Sequence, residues 1–202
     1  MTESVVQLKS GNACLLNAGK VDDFWVQGFV RVPRFIEPNE VVELGRIFAT
    51  FFTQRAGRKK GNHYDLAGTD EESTKPVLPQ LVNPSEHCPD LQNTQFWARA
   101  RQVAVELLGP GCSLQNEHAI LKPAGYGAET PWHQDEAYWA PDLEYESLSI
   151  WLPLQPVDEK NGCLRFVPGS HRGEVLEHRS LGNNVRIHGL EAVNQEHPDG
   201  VG

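Results

Sequence analysis

The sequence predicts a mainly β domain with helical support, an α+β fold in which packed sheets stand behind two helices. Three observations predict it. Between residues 38 and 108 two segments carry apolar residues at helical spacing. After Gly111 the texture changes to short strand-like pieces separated by turn residues. The 202 residues give room for one core of useful size, not two. The expected division is an extended lead-in over 1–20 and a single domain over 21–202, helical over 21–110 with its sheet core over 111–202.

Taken in order, residues 1–20 mix polar and small residues without a period. Asp22 and Asp23 precede Phe24-Trp25 as caps for a short helix, and Gly28 to Val32 alternates as a strand ended by Pro33. Pro38 then opens a helix whose stripe, Val41, Leu44, Ile47, Phe48, Phe51 and Phe52, belongs to the core and ends near Gly57. From Arg58 to Pro89 the composition turns to Gly, Pro, Asn, Asp and charge, which predicts a long surface loop that sees substrate. Asn93 or Thr94 caps a second helix to about Leu108, stopped by Gly109-Pro110. Strands are expected at Leu114–Lys122, Tyr145–Leu154 and Leu164–Val167.

A formal net charge of -9 argues against a phosphate backbone as partner, because binding one requires a basic surface. Cys14, Cys88, Cys112 and Cys163 show neither a CxxC pair nor a regular framework, which suits buried thiols in a reducing compartment. No apolar run reaches membrane-spanning length, so the expected location is the cytoplasm, with no membrane partner. Nothing in the pattern specifies an oligomer.

The chemistry concentrates at Pro131-Trp132-His133-Gln134-Asp135. Two residues apart in an extended chain, His133 and Asp135 point to one side, where an imidazole nitrogen and a carboxylate oxygen share a metal. Two His and one carboxylate on one face leave open positions for a chelating cosubstrate and O2, as in non-heme Fe(II) oxygenases. By itself an HxD more often marks a hydrogen-bonded surface His, so its surroundings decide. On the strand Leu114–Lys122, alternation sets Asn116, His118, Ile120 and Lys122 on one face, and that polar face is a candidate pocket wall.

Those surroundings are specific. Leu121-Lys122-Pro123-Ala124-Gly125, then Glu129-Thr130-Pro131-Trp132-His133-Gln134-Asp135-Glu136-Ala137-Tyr138-Trp139, resembles the signature region of the phytanoyl-CoA dioxygenase family. Ser149-Ile150-Trp151-Leu152-Pro153-Leu154 and Asn161-Gly162-Cys163-Leu164-Arg165-Phe166-Val167-Pro168-Gly169-Ser170-His171-Arg172 resemble its next strand and its PGSH turn. The likeness spans about residues 114–192. It implies a double-stranded β-helix (jelly roll) that holds Fe(II) through His133 and Asp135, binds 2-oxoglutarate and O2, and hydroxylates a small-molecule substrate with succinate and CO2 as co-products. Halogenating relatives replace the carboxylate, so Asp135 favours hydroxylation. Trp151 falls where similar enzymes line the oxoglutarate pocket, though a core tryptophan fits the same pattern. His171 reads as structural, its PGSH turn bonding local backbone.

One departure stands out. Similar enzymes carry a third iron ligand, a His well downstream that is followed by an Arg pairing with oxoglutarate. His188 and His197 lie downstream of Asp135, and neither is followed by an Arg. The expectation is therefore a jelly roll incomplete at its C-terminus. Its alternative is a catalytically silent jelly-roll binding protein, or an inactive fragment lacking that His and Arg.

Overall fold

The computed structural model describes residues 14–69, 71, 73–180 and 189–193. Helix α1 spans Ala18–Gln27, α2 Pro38–Thr53 and α3 Gln95–Leu108. The cap of α1 is Asn17, whose Oδ1 accepts the Lys20 N–H at 2.9 Å, so Asp22 and Asp23 lie inside the helix instead of capping it. Asn17 wins because its short side chain reaches the third helical N–H from an extended backbone. Residues 18–20, expected in the lead-in, belong to α1. Leu16 is buried against Val103 and Leu107 of α3, and the Leu15 and Leu16 N–H groups donate to the Glu106 carboxylate, each at 2.9 Å.

Gly28 to Val32 is not a strand. Gly28 closes α1 at φ 87°, a left-handed conformation that favours glycine, and a Cβ there would collide with the His171 ring. The ring and its neighbour tie off the helix: His171 Nε2 and Arg172 Nη2 donate to the Trp25 carbonyl at 3.2 and 2.6 Å. His171 is thus structural, but its partner is a distant helix end, not local backbone. Phe29 stacks on Phe166 with centroids 4.9 Å apart.

Helices α2 and α3 form where their stripes place them, and Phe51, Leu44 and Trp97 share one core cluster with Ile36, Leu81 and Leu91. The ladder of α2 ends at Thr53, a turn before Gly57. Thr94 caps α3, and Glu40 from the first turn of α2 adds a second cap, accepting the Gln95 and Phe96 N–H groups at 3.1 and 2.8 Å. A carboxylate at that position satisfies orphan donors and opposes the helix dipole.

The segment 58–89 is not a long surface loop. It contributes β1 (His63–Asp65) and β2 (Pro79–Val82), which pair antiparallel and continue into β3 (His118–Ile120), in the order β1-β2-β3. The register pairs Tyr64 with Gln80, Leu81 with Ala119 and Val82 with His118. One face, carrying Leu81 and Ala119, packs on the core; the other carries Tyr64, Gln80, His118 and Ile120. What holds β1 and β2 together is Asp65, buried at 4 % exposure, whose carboxylate accepts the N–H groups of Ala67, Gly68, Val77 and Leu78 at 2.7–3.1 Å. A side chain at Gly68 would strike that carboxylate.

A second small sheet pairs β4 (His178–Ser180) with β5 (Leu190–Ala192). Leu114–Lys122 is paired only over β3. Tyr145–Leu154 and Leu164–Val167 are not ladder strands among the described residues; Phe166 alone makes a bridge. The first of these nevertheless keeps the alternation of a strand. Leu148 and Ile150 pack on the Val103–Leu107 cluster and Leu152 and Leu154 on the other, while Ser149 and Trp151 face outward. The described architecture is therefore α+β, three helices with two small antiparallel sheets and no closed barrel.

All four cysteines are free thiols, Cys14 exposed and the other three half-buried, not buried as expected. Among the described residues no helix is long and apolar enough to cross a membrane. Asp65→Ala should strand four backbone N–H groups and cost at least about 3 kcal/mol in urea unfolding, against under about 0.5 kcal/mol for the exposed Glu71→Ala.

Candidate metal centre

His133 and Asp135 sit at the entry to a short helical turn, Asp135–Tyr138, on either side of an extended Gln134 (φ -114°, ψ 129°). His133 Nδ1 donates to the Pro131 carbonyl at 2.9 Å, which leaves Nε2 as the outward nitrogen, 3.4 Å from Asp135 Oδ1. A metal ligand needs this arrangement: an imidazole fixed in one tautomer by its other nitrogen, with its lone pair beside a carboxylate. The second Asp135 oxygen accepts the Ser149 hydroxyl at 3.3 Å. Ser149 thereby belongs to the centre although only its place in a strand-like segment was legible.

Charge follows the geometry. The hydrogen bond that His133 donates to the Asp135 carboxylate raises the His133 pKa above its ordinary 6.5, against a smaller effect of burial. The same bond lowers the Asp135 pKa below 3.8, with help from Ser149 and His118. Below pH 6.5 and without a metal the two are an imidazolium–carboxylate pair, and a cation that binds them there must expel the His133 proton.

Around the pair stand residues from three other segments. His118 lies close enough to feel the Asp135 charge, while burial lowers its own pKa. Its Nδ1 bonds Gln80 Oε1 at 3.2 Å, and the Gln80 amide donates to the Tyr64 hydroxyl at 2.7 Å, so one polar row crosses the open face of β1-β2-β3. Tyr138 meets the His133 ring edge-on with centroids 6.2 Å apart, and its hydroxyl accepts the Leu190 N–H at 2.8 Å. Trp151, 47 % exposed, shares the outward side of its segment with Ser149. Asn116 is exposed and precedes the paired part of β3; no hydrogen bond joins Asn116 or Trp151 to the pair among the described residues.

Of the residues singled out from sequence, the structure brings His133, Asp135 and His118 together, sets Trp151 on the Ser149 side, and leaves Asn116 apart. Tyr64 and Gln80 escaped sequence reading because 58–89 shows no period. Among the described residues no group of three His, Cys, Asp or Glu side chains could hold a metal ion; His188 and His197 lie outside those residues. A cleft of about 280 Å³ between α2 and residues 88–95 is lined by none of the side chains around His133 and Asp135.

The ion pair carries a pH signature in the metal-free protein. A raised His133 pKa contributes stability below 6.5 that is lost as pH rises through the folded value; a lowered Asp135 pKa contributes above 3.8 and is lost as pH falls through the folded value. The thermal midpoint of His133→Gln should therefore fall furthest below wild type between those limits and converge with it in alkaline solution. Metal titration in weak buffer near pH 6.5 should release a proton in wild type only.

Comparison with known proteins gives the family. The profile of the family described as Phytanoyl-CoA dioxygenase (PhyH) matches residues 24–185. A curated relative, the probable alpha-ketoglutarate-dependent hypophosphite dioxygenase of Stutzerimonas stutzeri, is 25 % identical over 169 residues, 83 % of this chain and 58 % of that protein. The chain thus spans under two thirds of that relative's length. Among solved structures, EvdO2 from Micromonospora carbonacea var. aurantiaca superposes with a TM-score of 0.70 at 33 % identity, over 92 % of this chain and 76 % of that one. The same protein complexed with 2-oxoglutarate gives 0.66 at 30 % identity, over 90 % and 74 %. The chain belongs to the phytanoyl-CoA dioxygenase family.

Proposed function

We propose that the chain acts as an Fe(II)- and 2-oxoglutarate-dependent dioxygenase that hydroxylates a small organic substrate, with succinate and CO2 as co-products. The observation that carries this reading is the His133 Nε2–Asp135 Oδ1 pair at 3.4 Å, its imidazole tautomer fixed by the Pro131 carbonyl. The donor set fits Fe(II): one imidazole and one carboxylate on a single side, leaving coordination positions for a chelate and O2. The bound iron with its oxo acid would supply the oxidant; everything else falls to the chain.

His133 and Asp135 hold the metal, and the Ser149 hydroxyl keeps the Asp135 carboxylate turned toward it. Because Asp135 keeps a carboxylate on the metal, no position is vacated for a halide, which favours hydroxylation. His118, Asn116 and Trp151 are the proposed cofactor-side residues. His118 has the strongest support, through its place beside Asp135 and its anchor on Gln80. For the third ligand two readings stand: it is not among these residues, or it is His188 or His197, neither of which is followed by the Arg that similar enzymes carry.

The alternating burial of Leu148 to Leu154 supports a jelly roll in which this segment is an inner strand. The free thiols and the net charge of -9 support a cytoplasmic enzyme that meets neither membrane nor nucleic acid. Aerobic incubation with Fe(II) and 2-oxoglutarate should yield succinate, and His133→Ala, Asp135→Ala or a chelator should reduce it to background. Succinate formation that survives both substitutions would refute the assignment.

A further inference from the structure

Gln134, the residue between the two ligands, is held by an arrangement the iron reading does not require. Its side-chain oxygen accepts the Leu176 N–H at 2.7 Å and its amide nitrogen donates to the Glu174 carbonyl at 3.3 Å. Its backbone N–H donates to His178 Nε2 at 3.1 Å. His178 Nδ1 in turn donates to the Leu176 carbonyl at 2.8 Å. That last bond fixes the tautomer, so Nε2 carries a lone pair and is an obligate acceptor.

The device is the one seen at His133, which also spends Nδ1–H on the carbonyl two residues earlier. There Nε2 is turned to Asp135 and the metal position; at His178 it is turned to the backbone joining the two ligands. With both nitrogens used, His178 has no donor left for a metal.

We propose that His178 is a positioning residue of the metal centre: by accepting the Gln134 N–H it sets the rotation of the chain at which His133 and Asp135 face one metal ion. The proposal rests on the reading of that pair as an iron site. Its physical ground is alternation. In an extended chain the backbone N–H of the middle residue and the side chains of its neighbours rotate together, so anchoring the N–H aims both ligands. The anchor is itself rigid, because β4 is paired with β5 and the Ala192 N–H of β5 donates to the Trp132 carbonyl at 2.9 Å. His178 therefore stands in for a ladder neighbour at the place where the ligand segment lacks one.

The test is a Co(II) titration of the full chain, followed by the visible ligand-field bands, with thermal unfolding recorded for each variant. His178→Phe should weaken Co(II) binding roughly 10- to 100-fold, the usual effect of removing a partner that orients a ligand, and shift the bands. His178→Gln, whose side-chain oxygen reaches the Nε2 position, should restore both. Arg179→Ala breaks the neighbouring Arg179–Glu191 pair at 2.6 Å on the same two strands, and should lower the thermal midpoint while leaving binding and bands unchanged.

If His178→Phe does not fold, His178→Asn replaces it: Asn keeps the Nδ1-side donor but not the acceptor, so Gln must bind Co(II) more tightly than Asn. Equal binding by Gln and its comparator, or an Arg179→Ala loss as large as that of His178→Phe, overturns the proposal and leaves the iron site standing. Wild-type protein that binds no Co(II) overturns both. Independently of any metal, nitrogen-15 spectra should show His178 protonated at Nδ1; protonation at Nε2 overturns the positioning role.

Discussion

Hydrogen bonding to the back of the His133–Asp135 segment is the constraint on which the centre depends. The segment pairs with no ladder strand among the described residues, yet the two proposed ligands must share a side and a spacing. Bonds from outside substitute for the ladder: Ala192 N–H on the Trp132 carbonyl, His178 and residues 174–176 on Gln134, and the Pro131 carbonyl on the His133 ring. An unanchored extended segment would lose this aim to backbone entropy, at roughly 1–2 kcal/mol per residue. The rest of the structure supplies rigid bodies to hang these bonds from.

The two halves of the molecule do this differently. Helices α2 and α3 with β1-β2-β3 form a packed unit, in which Leu81 is fully buried and Asp65 and Glu40 satisfy backbone donors that would otherwise be orphaned. That unit presents Tyr64, Gln80 and His118 on its open face. The segments after Gly111 then lay their alternate side chains on its core clusters, so that Ser149 and His133 arrive at the same open side.

Legibility in the sequence followed the range of the interactions. The helices were readable because a stripe, a Pro at the start and a Thr cap are local; α2 ended a turn early, and the start of α1 moved because Asn17 outcompetes Asp22 from upstream. β1 and β2 were not readable. They are three and four residues long, too short for a period of two to rise above noise, and Asp65 is a buried charge whose partners lie up to thirteen residues away. The proposed ligand pair was legible because its two side chains lie within three residues and the family-like run around them is continuous in sequence. Gln80, Tyr64 and Ser149 reach it only through sheet pairing and long-range packing, which no local pattern encodes. His178 likewise had no signal, being one imidazole whose role is defined by a backbone N–H forty-four residues earlier.

The most direct measurement is the visible spectrum of the protein with Fe(II) and 2-oxoglutarate under strict exclusion of oxygen. A weak charge-transfer band, present in wild type and absent in Asp135→Ala, is what a centre built on His133 and Asp135 predicts. No band in wild type, or a band unchanged in Asp135→Ala, would contradict it.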